Sequence, residues 1–418
     1  MKISNKHKLP SDSFCIIPWI HMNTWPNGNV FQCCITDYRN HIGNLQDNTL
    51  EEIWNNDYMK QLRLDLLSGK KPTSCTKCFE QEENGIISFR NAVNERYKDS
   101  INDLIYATDE NGYNNEFKLR YWDFRFSNLC NMKCRMCGGH LSSLWNGDEL
   151  ALYGQASEPE IVVNTKDKSK EDLYQLIDEQ IENVDEIYFA GGEPLIMDEH
   201  YYILEKLIET GRFNVKLRYN TNLLKVKYKK WDNFSLWSKF DNVQVIGSID
   251  AVGARAEYIR KGTVWNTVDS NIRKLAASNN ILFGVSPTVN IFNVYHIPEL
   301  VDYFLSAGVS LDELHLNNVL TNPKWYHISI LPSDIKEMIV KKYNDHLEKF
   351  DTEQRSKLAA RYSGILTYLN HDQGEDLDVY RNKFFQVTSE LDKYRKESLV
   401  EACPELEKFY NDIRQQSQ

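Results

Sequence analysis

No stretch of the 418-residue chain approaches the ~20 consecutive apolar residues of a membrane span. Residues Met1 to Phe14 carry lysines with no apolar run behind them, so no secretory signal is expected. Neither G-x4-G-K-[S/T] nor G-x-G-x-x-G occurs, which leaves a nucleotide cofactor bound through its phosphates without support. Glycine and proline are scarce, at 19 and 11, which excludes collagen-like and linker-like chains. Basic charge is outweighed, 49 Lys and Arg against 60 Asp and Glu for a net charge of −11. That balance argues against a chain that coats nucleic acid or lies on an anionic membrane. A cytoplasmic location is expected, where thiols stay reduced.

The remaining composition is that of a globular protein, 41% hydrophobic and 12% aromatic, and the length predicts two to three domains. Cysteine is the exception to an even distribution. Of nine, Cys15, Cys33, Cys34, Cys75, Cys78, Cys130, Cys134 and Cys137 fall in the first third of the chain, and Cys403 stands alone. An odd, clustered set in a reducing compartment reads as metal ligands before disulfides.

Thr49-Leu-Glu-Glu52 has the form of a capping box, opening a helix with Ile53, Trp54, Tyr58, Leu62 and Leu66 on one side. The polar run 108–116 reads as a linker. From Phe117 onward, strand-like runs alternate with amphipathic ones. The strands are expected at Leu119–Phe126, Glu186–Ala190, Val215–Asn220, Val243–Ile249, Leu282–Val289 and Glu313–Val319. The helices are expected at Leu173–Ile181, Tyr201–Ile208, Val268–Ala277 and Pro298–Leu305. This alternation predicts βαβ units and a parallel sheet, with too few strands for a closed eight-stranded barrel. Gly154–Lys170 reads as a surface loop, and residues 333–418 as helical, charged and peripheral.

Directly after the first expected strand comes Cys130-Asn-Met-Lys-Cys134-Arg-Met-Cys137, a C-x3-C-x2-C spacing. Three thiolates on one tight loop can hold three corners of a [4Fe–4S] cluster and leave one iron open to a ligand. On spacing alone, a zinc site completed by His140 or a distant residue stays open. After the second expected strand comes Gly191-Gly192-Glu193-Pro194. Adjacent glycines let backbone approach a ligand, and Glu193 offers a carboxylate to an ammonium group.

The two motifs in this order resemble the radical S-adenosylmethionine (SAM) enzymes, over about residues 117–320. Tyr219-Asn220-Thr221-Asn222 stands where relatives carry a Thr-Asn pair. Gly247-Ser248-Ile249-Asp250, followed by Arg260-Lys261-Gly262, is similar to the Ser-x-Asp and downstream Arg of the peptide-modifying branch. The resemblance implies a catalytic [4Fe–4S] cluster on Cys130, Cys134 and Cys137. It places SAM against Gly191, Gly192, Glu193, Asn220, Asn222, Ser248, Arg260 and Asn290, with Asp250 and Asn290 pointing into the cavity. Relatives carry an aromatic near adenine where this chain has Met136, whose thioether can fill the same apolar role. The implied reaction is reductive cleavage of SAM to a 5′-deoxyadenosyl radical that abstracts hydrogen from a substrate. A one-electron donor such as flavodoxin or ferredoxin is the implied partner.

Upstream, Cys15, Gly28 and Cys33 have the spacing C-x12-G-x4-C, and Cys75-Thr-Lys-Cys78 completes a set of four thiols. In isolation a zinc ribbon and an iron–sulfur cluster fit this set equally. Cys34 is adjacent to Cys33 and reads as a bystander. Within the same resemblance, the set, Ile42-Gly-Asn-Leu45 and the intervening helix look like the auxiliary-cluster domains called SPASM and twitch. No cysteine lies between Cys78 and Cys130, so one auxiliary [4Fe–4S] cluster is implied, the twitch case. Relatives place this domain after the barrel; here it comes first.

Trp19, Trp25 and Trp54 read as core, Cys403 as a small packing residue, and His21, His41 and His140 as ordinary histidines near the cysteine loops. His315 and Asn317 share one face of the last expected strand. The expected fold is α/β: an auxiliary iron–sulfur domain over 1–97, a linker over 98–116, a partial (β/α)6 barrel over 117–320 and a helical extension over 321–418. The expected function is a radical SAM oxidoreductase acting on a peptide or protein side chain, with the auxiliary cluster transferring electrons. A small-molecule dehydrogenase or epimerase is the alternative within that chemistry. A non-catalytic iron–sulfur or zinc-binding interaction protein is the alternative outside it. Neither nucleic acid nor membrane is expected as a partner.

Overall fold

The computed structural model describes residues 9–83, 85, 87–156, 170–371 and 377–416. The chain forms two compact units. One comprises Met1–Asn128, Ile161–Gly191 and Met197–Arg218; the other comprises Leu129–Glu160, Gly192–Ile196 and Tyr219–Gln418. Among the described residues, no helix is long and apolar enough to cross a membrane.

The first unit is built on the strand His21–Thr24, every residue of which is buried. On one side it pairs antiparallel with Asn29–Phe31, and that strand with Gly43–Asn44. Gly28 makes the intervening turn possible with φ 83°, a left-handed conformation that costs other residues more. On its other side His21–Thr24 runs parallel to Tyr121–Phe124, with His21 opposite Tyr121 and Thr24 opposite Phe124. Tyr121–Phe124 in turn runs parallel to Glu186–Phe189. The cysteine-rich segment and the first strand of the α/β segment therefore share one sheet.

The capping box forms: Glu52 N–H donates to Thr49 Oγ1 at 3.2 Å and Thr49 N–H donates to Glu52 Oε2 at 2.8 Å. The single helix expected behind it is two helices, Leu50–Trp54 and Asp57–Ser68. Asn56 interrupts it by capping the second helix, accepting from Met59 N–H at 2.9 Å. Side chains also compete for backbone groups in this way at other caps. Tyr58 is turned outward as a result, 41% exposed, while Ile53, Trp54, Leu62 and Leu66 stay buried. The polar segment 98–116 holds the helix Ile101–Tyr106 and a bridge between Thr108 and Asn114. Trp19 anchors it, donating from Nε1 to Thr108 Oγ1 at 2.8 Å.

In the second unit Val243–Gly247 and Leu282–Val285 run parallel. The helices Gly253–Ile259, Trp265–Ala276 and Ile297–Ser306 follow the expected alternation. The sixth expected strand, Glu313–Val319, is a correction. It makes only isolated parallel bridges, Val285 to Leu314 and Val289 to Val319. Between them stands Pro287, which has no N–H to continue the ladder toward this segment. The C-terminal residues are helical as expected, over Ser333–Leu347, Thr352–Leu369, Leu377–Arg395, Leu399–Ala402 and Glu407–Gln416. They are not peripheral, since Leu377–Arg395 lies against Asn146–Tyr153, the helix that follows the cysteine loop. Most of the loop expected at Gly154–Lys170 lies outside the described residues.

Two histidines in the first unit make its stability depend on pH. His21 Nδ1 bonds Tyr121 O at 2.9 Å and the ring stacks on Tyr121. Burial pulls its pKa down to about 4, and that of His200 to about 3. Both are neutral when folded, whereas the unfolded chain binds protons near 6.5. Stability is therefore full above that value and falls as pH drops toward 4, at up to about 1.4 kcal/mol per pH unit per histidine. Denaturant unfolding at pH 7.5, 6 and 5 is expected to show this slope. His21→Asn, which keeps a donor for Tyr121 O, should flatten it. An unchanged slope in that variant would remove His21 as a source.

Candidate functional site

The loop of Cys130, Cys134 and Cys137 belongs to the second unit. Lys133–Cys134 pairs antiparallel with Arg260–Lys261, placing Arg260 opposite Cys134. The loop closes on itself through Cys137 N–H to Cys134 O at 3.0 Å, and Trp145 Nε1 donates to Cys134 O at 2.9 Å. Gly262, with φ 107°, passes so close that a Cβ there would lie 2.8 Å from Asn131 O. Burial pushes the Cys137 thiol up to about 12 and the Cys130 thiol well above its usual value, with neighbouring thiolates adding to both. Thiols so desolvated ionise only against a strong positive charge. Bound iron supplies that charge, so the donor set fits a cluster.

Arg260 turns one side of its guanidinium to Cys134 Sγ at 3.6 Å. The other side grips Asp250, through Nε to Oδ2 at 2.7 Å and Nη2 to Oδ1 at 3.1 Å. Asp250 also accepts from Thr288 N–H at 2.8 Å, and its backbone O accepts from Asn293 at 3.0 Å. The carboxylate expected to face a cavity is thus the brace that aims Arg260 at the cysteine loop. Asn290 is wholly buried and bonded to its own turn, donating to Thr288 O and accepting from Phe292 N–H, at 2.8 and 2.9 Å.

Glu193 is also buried and occupied. Its carboxylate accepts from Thr221 Oγ1 at 2.7 Å, Asn222 N–H at 2.8 Å and Leu195 N–H at 3.1 Å. Burial pushes its pKa up to about 7 against the pull of these bonds. Glu193 N–H donates to Leu129 O at 2.9 Å, tying the motif to the start of the cysteine loop. Asn222 Nδ2 reaches Asn131 Oδ1 within that loop at 2.7 Å. Ser248 and Met136 are half-buried, as is Asn220 on the strand Lys216–Thr221, and Ser248 N–H bonds Thr221 O at 2.8 Å. Gly192 has φ 51°. Gly191, in the first unit, has φ 80°, and a Cβ there would strike Arg125 at 2.8 Å.

Sequence reasoning missed the groups that hold the cysteine loop from behind. Arg135, wholly buried between Cys134 and Cys137, donates from Nη2 to Asp392 and to Glu397 Oε2, the latter at 2.6 Å. Its guanidinium lies 3.7 Å over the Tyr258 ring. Asp148, equally buried, takes Arg395 and Lys133, each at 2.7 Å. The partners of Arg135 lie more than 250 residues away, beyond the reach of any local signal.

The second thiol set lies in the first unit. Cys15 precedes the 3-10 turn Ile17–Trp19, Cys33 follows Asn29–Phe31, and Cys75 and Cys78 flank the start of the helix Thr76–Glu83. All four line one cavity with Ile17, Leu62, Leu66 and Phe89; Cys34 does not line it. Gln32 Nε2 points at Cys75 Sγ from 3.8 Å. Burial pushes Cys75 up to about 11 and raises Cys15 further. Among the described residues, no group of three or more His, Cys, Asp or Glu converges as it would on a single metal ion. Four half-buried to buried thiols lining one largely apolar cavity fit a cluster.

Residues 124–304 match the Radical SAM superfamily, and residues 15–79 match SPASM, an iron–sulfur cluster-binding domain. These matches imply a [4Fe–4S] cluster with SAM, and auxiliary iron–sulfur binding in the N-terminal part of the chain. The structure over these residues is α/β with parallel strands. Among solved structures, Streptococcus suis SuiB bound to S-adenosylmethionine is similar, at 14% identity and a TM-score of 0.33, over 61% of this chain and 54% of that one. SuiB bound to the precursor peptide SuiA aligns at 12% identity and a TM-score of 0.32, over 62% and 53%. TYW1 with a lysine-pyruvate adduct aligns at 14% and 0.30, over 55% and 71%. The chain spans about half the length of the SuiB structures it matches. No curated protein matches it.

Two substitutions test this architecture. Arg135→Met leaves Asp392 and Glu397 short of a counter-charge, and breaking such a buried pair costs about 3–5 kcal/mol. Denaturant unfolding reads this, and a loss below about 1 kcal/mol would mean that the loop needs no support from the C-terminal helices. Gly262→Ala forces a Cβ against Asn131 O, so iron held by the cysteine loop should fall while iron in the first unit is retained. Full iron content in that variant would show that the loop can move aside.

Proposed function

We propose that the protein is a twitch-type radical SAM enzyme that abstracts a hydrogen atom from a peptide or protein side chain. The observation that carries this reading is the pair of thiol sets, three on a braced loop and four around a separate cavity. When bound, SAM and its cluster supply a 5′-deoxyadenosyl radical, chemistry no protein side chain provides. The chain's own residues position it. Arg260, aimed by Asp250, sets positive charge beside Cys134. Glu193, with three of its acceptor positions filled by the chain, keeps one for the SAM ammonium.

The peptide class rests on the resemblance to the SPASM and twitch branch. Cys15, Cys33, Cys75 and Cys78 would cap every iron of one auxiliary cluster, so its proposed role is electron transfer and not substrate ligation, with a purely structural cluster as the alternative. A flavodoxin or ferredoxin in the cytoplasm supplies the first electron. Residues 1–97 form the auxiliary domain, 98–116 join it to the barrel of 117–320, and 321–418 extend it.

Anaerobic reconstitution is expected to give about eight irons per chain, and about four after Cys130, Cys134 and Cys137 are replaced by Ala. The reduced protein should release 5′-deoxyadenosine from SAM; without that release, a non-catalytic cluster protein is the better reading. Cys78→Ala should retain release and lose product. Full turnover in that variant would make the auxiliary cluster structural. Release stimulated by small metabolites and not by peptides would favour the dehydrogenase or epimerase.

A further inference from the structure

All three side-chain nitrogens of Arg260 are committed within the second unit. Nε and Nη2 form the edge that grips the Asp250 carboxylate, at 2.7 and 3.1 Å. Nη1, on the other side, donates to Cys134 Sγ at 3.6 Å. The resemblance to radical SAM enzymes places SAM against this arginine, whereas its third nitrogen already meets a cluster thiol.

The direction of that third nitrogen is fixed from several sides. The Asp250 side chain is wholly buried and is itself held by Thr288 N–H at 2.8 Å. Arg260 stands opposite Cys134 in the antiparallel pair of Arg260–Lys261 with Lys133–Cys134. Its backbone carbonyl is held by Thr263, from N–H at 3.0 Å and from Oγ1 at 2.7 Å. A guanidinium is a rigid planar fork, so fixing one edge fixes the line of the remaining nitrogen. Cys137 meets the opposite chemistry, with its Sγ 3.7 Å from a carbonyl, Gly138 O. The thiols of the loop are therefore not equivalent, and Cys134 is the one that faces a cation.

We propose that Arg260 sets how readily the cluster on Cys130, Cys134 and Cys137 accepts an electron, its N–H to Cys134 Sγ raising the reduction potential of that cluster. This inference rests on the reading of the loop as the site of a [4Fe–4S] cluster. Reduction by one electron, from the external donor or from dithionite, adds one negative charge that is shared with the thiolates. A charged N–H donor at a thiolate stabilises that added charge, and hydrogen bonds to the sulfurs are among the quantities that set iron–sulfur potentials. Little water screens the interaction, since the Arg260 side chain is 14% exposed. Asp250 does not cancel it, because the carboxylate lies on the far edge of the guanidinium and the pair turns its positive end to sulfur. Asp250 is the positioning residue and Arg260 the one that touches the ligand.

The test reads a potential, which is independent of turnover. The full-length, iron-loaded protein is titrated redox-potentiometrically without SAM and followed by EPR. The loop cluster's signal is identified as the one lost when Cys130, Cys134 and Cys137 are replaced by Ala. Arg260→Gln is expected to disfavour reduction of that cluster at least ten-fold, a downward shift of about 59 mV for a one-electron couple, while the signal of the cluster in the first unit stays in place. Arg273→Gln, which removes an exposed charge of the same unit, should leave the potential unchanged. In the wild type, isotope labelling of arginine nitrogen should reveal a nitrogen coupling in the loop cluster's signal, a result that requires no variant to fold. Three results would overturn the proposal: an unshifted or raised potential in Arg260→Gln, an equal shift in Arg273→Gln, or no nitrogen coupling in the wild type. The first would leave Arg260 a SAM contact or a structural partner of Asp250. Because SAM is absent throughout, a failure to release 5′-deoxyadenosine would count against the enzyme reading alone.

Discussion

Arg135 enters the interior of the second unit with its charge intact, because Asp392 and Glu397 return from the far end of the chain to meet it. A guanidinium cannot be taken out of water without such partners at a cost of several kcal/mol. Since Arg135 stands between Cys134 and Cys137, the cysteine loop and the C-terminal helices share one buried ion-pair network. Asp148 repeats the arrangement with Arg395 and Lys133. The helical extension is therefore part of how the site is made.

The same logic changes the meaning of two carboxylates. Asp250 and Glu193 both look, by residue type and position, like groups held ready for a ligand. Asp250 fastens Arg260 and takes the Thr288 amide. Glu193 fastens the end of one strand to the turn that bears it. Their bonds are charge-assisted and directional, which is what a loop without regular structure needs to hold its shape.

What was legible in the sequence follows a physical division. Strand–helix alternation, the Thr49–Glu52 capping box and the cysteine spacings are local, and local periodicity carries them. Two kinds of feature were not legible. One is competition for backbone groups, as where Asn56 divides a helix whose apolar spacing runs on unbroken. The other is pairing at long range. Nothing near Arg135 announces Asp392, and nothing near His21 announces that its strand joins Tyr121–Phe124 in one sheet. The candidate site residues were chosen by type, spacing and resemblance, whereas their bonding partners required the fold.

Gly191-Gly192-Glu193-Pro194 shows how many structural demands a short motif can meet. Gly191 belongs to the first unit, and its missing Cβ is the space through which Arg125 passes. Glu193 belongs to the second unit, where its backbone meets Leu129 and its side chain meets Thr221 and Asn222. A residue with a side chain at 191 would collide with Arg125 before it met any cofactor. A shorter side chain at 193 would release Asn222 and Thr221. Each position answers to a steric or hydrogen-bonding demand of its own unit, so the motif is constrained from both directions at once. The four residues thus combine two functions that chemistry alone would not require to be adjacent: clearance for a buried arginine and support for a cluster loop.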